Sequence, residues 1–365
     1  MRSFGWWGHQ PIGERLPAVI RKDIETLNSK KKVRQLFKMF ESNARIEIAK
    51  ILLSHGLLKI SCMNEVLLEF VNYESNIFNT LGNLSSKYIN SVKEYVLEQN
   101  DLVVENDKIR FYYENFFLSN SHISDYCNKI IKLSNNNSMM TQLRFKGLDL
   151  KKPFIEILFT NFEINNNNIE EICSYISKNY NTVPNTCLRF FNKSNIVNLE
   201  RNCPIDKFLY ANYYTSPLPT YINSKRVYLE IPTDVTSFYN EYLYEYNTVN
   251  KEFTTPLSIE MLQKLIIKKS FFLIKKGNNV IGSIAANEKY VGSIMGYEIV
   301  DEIIYQKYRG NSFAKEAQNL LINKLISDKS EALVLGTIHP GNIASIKTAE
   351  SNNRIRLGAW HFISN

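Results

Sequence analysis

The chain has 365 residues, 44% of them hydrophobic and 12% aromatic, which is ample for packed interiors and too much for one ordinary core. Its formal charge of +8 lies mostly in residues 1–60, which carry twelve Lys/Arg against five Asp/Glu. Five scattered cysteines, never spaced as CxxC, exclude a disulfide framework and give no metal signal, and no apolar run nears the roughly 20 residues of a membrane span.

MRSFGWWGHQP at the start has one arginine and no apolar stretch of signal-peptide length, so a soluble, cytoplasmic protein is expected. The basic first segment suits nucleic acid, an anionic surface or an acidic partner, or is a solvated helical face. Residues 18–60 show helical periodicity, with Ile24, Leu27, Val33, Leu36, Phe37 and Phe40 as one stripe. Glu65–Tyr73 continues the theme, and Ser85 and Ser86 are placed to cap a helix reaching about Leu97. DLVV and KIRFYY, around Asn106-Asp107, alternate like two short strands.

Helices followed by a hairpin have the layout of a winged helix. The helix that would read DNA offers only Lys87 and Lys93 against Glu94 and Glu98, which argues against nucleic acid. The polar tracts 134–137 and 165–168 read as linkers or loop tips. PFIEILFTNFEI reads as a strand, NIEEICSYISKNY as a helix and TCLRFF as another strand. Prolines at 217 and 219 then mark a boundary near residue 222.

Beyond it the order is plain. RVYLEI is a strand, VTSFYNEYLYEYN a helix, and SIEMLQKLIIKK a helix beginning at Ser258. FFLIKK, VIGSIAANE and GYEIVDEIIY form an antiparallel meander. YRGNSFAKEA leads into a helix from Phe313 to about Ile326; EALVLGTIHP, NIASIKTAESN and LGAWHFI complete a strand, helix and strand. The expected fold class is α+β (mixed α/β). A C-terminal domain at 223–365 would surround a mixed, largely antiparallel sheet. It would follow a mainly helical module at 1–150, carrying the winged-helix-like hairpin, and a small α/β segment at 151–222.

This element order, and two motifs, resemble the GCN5-related N-acetyltransferases (GNAT) over about 225–365. The family loop Arg/Gln-x-x-Gly-x-Gly/Ala reads here Arg309-Gly310-Asn311-Ser312-Phe313-Ala314, with serine in place of the first motif glycine. The family's Asn-x-x-Ser/Ala is matched by Asn342-Ile343-Ala344-Ser345, while its Gly-Phe after the following helix is replaced by Asn353-Arg354. On the same comparison, 151–222 reads as a degenerate half of that architecture.

A helix start presents unpaired N–H groups and the positive end of the helix dipole, and small residues let a pyrophosphate approach them. Gly310 supplies conformational freedom, and Ser312 fits if its backbone keeps a negative φ. Arg309 adds a charged fork suited to phosphate. The resemblance implies acetyl-CoA as co-substrate, held by Arg309–Ala314 and Asn342. It also assigns the pantetheine arm to the backbone of Ile303, Ile304 and Tyr305.

An amine with a pKa of about 10.4 needs a base at neutral pH. Period-two alternation puts Glu298, Val300, Glu302 and Ile304 on one strand face, so both glutamates are candidates, with Asp301 facing away. The resemblance places Glu298 where histone-type members keep their base. It also places a tyrosine acid at what is here Ala349, which leaves Ser345, Tyr305, Tyr308 or water for that role. His339, at a strand end, is a weaker candidate, and no histidine has a partner at metal-ligand spacing.

The function expected is acyl transfer to a primary amine by direct attack, on a small molecule, peptide or protein. The alternative is a regulator that senses acyl-CoA or binds DNA without turnover. In a third reading, residues 1–222 form the acceptor platform. Tyr239, Tyr242, Tyr244 and Tyr246 line an acceptor groove or, as on most amphipathic helices, pack.

Overall fold

A computed structural model of the chain describes residues 65–100, 125–183, 187–193, 203–216, 226–249 and 253–363, with Asn115, Leu118, Ser121 and Lys251 besides. The periodic stripe of 18–60 and the hairpin expected around 106–107 lie outside the described residues.

Among the described residues two helices come first, α1 (Glu65–Phe78) and α2 (Ser86–Gln99). Ser85 stands at the N-cap of α2, but its hydroxyl is not spent on the helix: Oγ donates to Glu331 Oε1 at 2.7 Å. Strands β1 (Lys129–Lys132), β2 (Ser138–Phe145) and β3 (Pro153–Thr160) follow. The polar tract between β1 and β2 is a hairpin tip, with Asn135 and Asn136 at positive φ, a conformation asparagine tolerates. Then come α3 (Ile169–Asn179), β4 (Cys187–Asn192) and β5 (Ile205–Thr215).

The C-terminal elements are β6 (Tyr228–Glu230), α4 (Tyr239–Tyr246), α5 (Ile259–Ile267), β7 (Phe271–Lys276), β8 (Asn279–Val291) and β9 (Ile294–Ile304). After them run α6 (Phe313–Lys329), β10 (Glu331–Ile338), α7 (Ile343–Ser351) and β11 (Ile355–Ile363). Ser258 caps α5, its Oγ accepting from Met261 N at 3.3 Å.

Among the described residues all eleven strands join one sheet in the order β1-β2-β3-β4-β11-β5-β10-β9-β8-β7-β6. Pairs β3–β4 and β9–β10 are parallel, and the rest are antiparallel. The mixed, largely antiparallel α+β class therefore holds for the whole described chain. Each half has the same run of elements: an antiparallel hairpin (β2–β3 or β8–β9), a helix (α3 or α6), a parallel strand (β4 or β10), then a closing strand. The closing strands are exchanged. β5 from the first half lies between β11 and β10, and β11 from the second lies between β4 and β5.

This exchange shows why divisions at 150 and 222 do not part the sheet. Residue 150 falls within the β2–β3 hairpin, and β5 is hydrogen-bonded along the whole of β10, from Glu331↔Thr215 to Ile338↔Phe208. Strands β1 and β2 also make the stretch before residue 150 less helical than expected. Strand pairing across distant sequence overrides the local composition shift that suggested the boundaries.

Both sheet faces are covered. On one, α6 buries Phe313, Ala317, Leu321, Ile322 and Ile326 against Ile274, Ile281, Ile284 and Val334. The repeat at i, i+4 and i+8 explains why this segment is helical and which side it hides. On the other, α4 and α5 pack Tyr242, Tyr246, Leu262 and Leu265 on Phe271, Leu273, Ala285 and Ile303. Helix α3 covers β1–β4 through Ile169, Ile172, Cys173 and Ile176. No helix among the described residues is long and apolar enough to cross a membrane.

Candidate functional site

Strands β9 and β10 touch only briefly. Their parallel register holds at Tyr297↔Val334 and Glu298↔Leu335, after which the strands part. A cavity of about 110 Å³ opens in the gap, bordered by Ile299, Glu302, Gly336, Asn342, Ser345 and Arg354. Helix α6 begins just past the end of β9. Its loop turns at two left-handed residues, Gly310 (φ 78°) and Ser312 (φ 62°).

Ser312 therefore departs from the negative φ expected of it. It takes the conformation the motif glycine would take, because only that turn brings the chain from Arg309 into α6. Asn311 locks the loop, its Nδ2 donating to Tyr308 O and Arg309 O at 3.1 Å each. The first-turn amides of Phe313 and Ala314 have no acceptor within their own helix. Phe313 itself is buried, and its ring lies under Arg226 and Lys276, each about 5.3 Å from the centroid. Arg226 also pairs with Glu316. These two cations come from just before β6 and from the end of β7, which sequence spacing gave no means of placing beside the loop.

Arg309 points elsewhere. Its Nε donates to Ile304 O at 2.8 Å and its Nη2 to Thr248 Oγ1 at 2.8 Å, with Glu245 at 3.5 Å. Glu245 also accepts from Gln306 N at 2.7 Å. The expected phosphate fork is thus a brace between α4 and the end of β9, held by a carboxylate that had not been foreseen. The same contact caps the Ile304 carbonyl.

Tyr305 N donates to Ile281 O at 2.9 Å, and the Ile303 carbonyl faces Gly282, so both residues direct their backbone groups toward β8. Strand alternation leaves Glu302 and the Ile304 N–H on the open edge. The edge expected at 303–305 is shifted toward Glu302 as a result. The Tyr305 hydroxyl is buried without a partner, and burial pushes its pKa far up.

The two glutamates do not share a face. Opposite Ala285 and Ala286, Val300 is an extra residue in β9, a bulge that breaks the period-two pattern. Tyr297 and Ile299 face α6, Asp301 and Ile303 face α4 and α5, and Glu302 faces α6 again. Glu298, before the bulge, lies on the side opposite Tyr297. There it accepts from Thr337 Oγ1 at 3.0 Å and forms an ion pair with Lys289.

Glu302 is held differently. Gln318 Nε2 donates to its Oε2 at 2.7 Å, while Oε1 is buried without a partner. Burial raises its pKa to about 7, against the opposing pull of the Arg354 charge. Asp301 borders the cavity too, but its carboxylate turns toward α4, on the strand face opposite Glu302 and, against expectation, not opposite Glu298. It accepts from Tyr242 OH at 2.8 Å, from Ser283 Oγ at 3.0 Å and from Tyr246 OH. Tyr242 and Tyr246 are therefore packing residues with anchored hydroxyls, whereas Tyr244 is exposed.

Asn342 caps α7, its Oδ1 accepting from Ser345 N at 3.2 Å, and both residues border the cavity. His339 stacks on Phe253 at 5.1 Å and accepts from Gly341 N at 3.1 Å. Ala349 is fully buried beside Tyr210 and Ile338. Asn353 takes the left-handed conformation (φ 60°) of the family's glycine, and Arg354 is buried where its phenylalanine would be. Among the described residues no cluster of His, Cys, Asp or Glu is placed to hold a metal.

A parallel strand pair that parts beside a helix start, within this element order, decides the architecture. The fold is GNAT-like. No family model matches the chain, nor does any curated protein. Solved structures do resemble it. A GCN5-related N-acetyltransferase from Sphaerobacter thermophilus is 7% identical over 81% of this chain and 91% of that one, with a TM-score of 0.48. A GNAT-family acetyltransferase from Colwellia psychrerythraea is 10% identical over 73% and 97%, with a TM-score of 0.42. A GCN5-related N-acetyltransferase from Kribbella flavida is 9% identical over 65% and 89%, with a TM-score of 0.38.

Proposed function

We propose that the chain is an acyl-CoA-dependent N-acyltransferase, using acetyl-CoA and a primary amine in a ternary complex. The observation that carries this is the open β9 edge: unpaired strand backbone leads from the start of α6 to a cavity holding a carboxylate. The residues fit the group. The amides at Phe313 and Ala314, with Arg226 and Lys276 nearby, suit a pyrophosphate, and the backbone at Glu302 and Ile304 suits an amide-bearing arm.

Glu302 is the preferred base. An acid with a pKa of about 7 accepts a proton at neutral pH without being too weak to do so, and its Oε1 has no protein partner. Glu298 is committed to Lys289 and Thr337, which suits a supporting part at the edge of the cleft. The amine nitrogen attacks the thioester carbon, and its proton passes to Glu302 directly or through water. No acyl-enzyme is needed.

Phe253 and His339 stack at the cavity rim, which suits an acceptor entrance between the α4–α5 connection and the end of β10. An amine-bearing small molecule, peptide or protein is the acceptor class. Isothermal titration with acetyl-CoA tests the reading. Saturable binding that weakens in R226A/K276A is expected, and folded protein that binds no acetyl-CoA would overturn it.

A further inference from the structure

Arg354 is a buried cation at the apex of the β9–β10 gap. Only 3% of it is exposed. Gly336 follows Leu335, the last residue of β10 paired with β9, and the guanidinium lies against it. A Cβ at Gly336 would sit 2.6 Å from Arg354 Nη1, so the glycine is what admits the arginine.

Nη2 donates to Gln318 Oε1 at 2.8 Å, and Gln318 passes the contact on to Glu302. Asn352 Nδ2 donates to the same Gln318 oxygen at 3.1 Å. The glutamine thus stands between cation and carboxylate, and no ion pair joins Arg354 to Glu302 among the described residues. Arg354 Nε and Glu302 Oε1 are both buried and unpartnered at the edge of one cavity. Buried charges left partly unsatisfied are costly, and a cavity bordered by two of them is built for a polar guest.

We infer that Arg354 receives the sulfur of the departing CoA, holding it as a thiolate. This rests on the acyl-CoA reading of the cleft. From Ile304 back to Ile299 the open edge spans five residues, about 17 Å, which leads an extended arm from the start of α6 to the apex. An ordinary thiol has a pKa of about 8.5, so a thiolate leaves poorly at neutral pH unless it is protonated or paired with a cation. Ala349, buried at the position where the family resemblance calls for a tyrosine, has no proton to give.

The electron and proton count closes with Arg354 alone on the sulfur side. The amine lone pair forms the C–N bond, and the C–S bond breaks with its pair retained on sulfur beside the guanidinium. The amine proton goes to Glu302 and then to solvent. Other titratable groups around Arg354 are Glu302 and Asp301 from β9, Tyr210 and Tyr214 from β5, Glu350 from α7, and His339 at the end of β10. Tyr214 is engaged with Asn352 O at 2.5 Å and Tyr210 with Glu350 at 3.0 Å, so neither is free to donate to sulfur.

The test uses CoA itself on the full chain, following the ultraviolet absorbance of its thiolate against pH. The bound thiol should titrate at least one pH unit below free CoA, a tenfold gain in ionisation. R354M should abolish that difference and R354K should keep most of it, with calorimetry confirming that each variant still binds CoA. Bound thiol titrating like free CoA in the wild-type protein overturns the assignment, whether or not R354M folds. Equal thiol titration in wild type and a CoA-binding R354M overturns it too. Absence of any CoA binding by folded wild type would instead overturn the acyl-CoA reading on which it rests.

Discussion

Replacing Glu302 by glutamine removes the carboxylate whose ionisation the fold resists. Its pKa moves from the ordinary 4.5 to about 7 because burial outweighs the opposing pull of the Arg354 charge and the Gln318 hydrogen bond. A raised folded pKa means the folded protein binds the proton more tightly than the unfolded chain. The neutral form's stability is thus fully present below pH 4.5 and is lost as pH rises toward 7. At about 1.4 kcal/mol per pH unit the full loss is about 3 kcal/mol, most of it falling between pH 5 and pH 8. Glutamine keeps the shape, its carbonyl can still accept from Gln318, and it never ionises. Urea denaturation of E302Q and wild type at pH 5, 6, 7 and 8 should therefore show the variant's advantage growing with pH. An advantage that stays flat from pH 5 to 8 would refute the reasoning, since Glu302 would then ionise as freely in the fold as in the unfolded chain.

Three further perturbations bear on other parts of the structure. S312G should raise stability by about 0.5–1 kcal/mol, seen as a higher Tm, because glycine occupies φ 62° without strain and still leaves the amides of α6 in place. G282A should destabilise by more than about 3 kcal/mol or abolish soluble expression, since its Cβ would lie 2.2 Å from Ile303 O between two central strands. D301A should cost about 3–5 kcal/mol in urea, because three buried hydroxyls lose their shared acceptor, while Y246F should cost about 1–2 kcal/mol.

Helices and strands from Tyr228 onward were legible because each has its own period, cap or turn: Ser258 before α5, GNN between β7 and β8, and the apolar repeat from Phe313 to Ile326. The first half was less legible. β1, β2 and β5 are buried on both faces or carry mixed polar and aromatic runs, so none shows clean alternation; β5 reads IDKFLYANYYT and pairs only with strands far along the chain. The cleft was legible as a loop and two motifs. Ser312 departs from the negative φ expected of it because a side chain's identity does not state the turn that the tertiary fold imposes. Arg309 was given to phosphate because the sequence shows no sign that Glu245, 64 residues away, would claim it.

Local chemistry was enough to set where the elements from Tyr228 onward lie, that a helix begins at Phe313 behind a loop of small residues, and that carboxylates fall on the strand before it. Which way those carboxylates face was decided only in three dimensions. The extra residue at Val300 arises from the register of β9 against β8, and it sends Glu298 to one side of the sheet and Glu302 to the other. Arg354, Gln318 and Glu302 come from a turn, a helix and a strand, each unremarkable in sequence. They meet because the strand exchange places β11 beyond β5, so that the turn entering β11 lays its arginine across Gly336. Propensity acts over a few residues, whereas register, bulge and burial are properties of the assembled sheet.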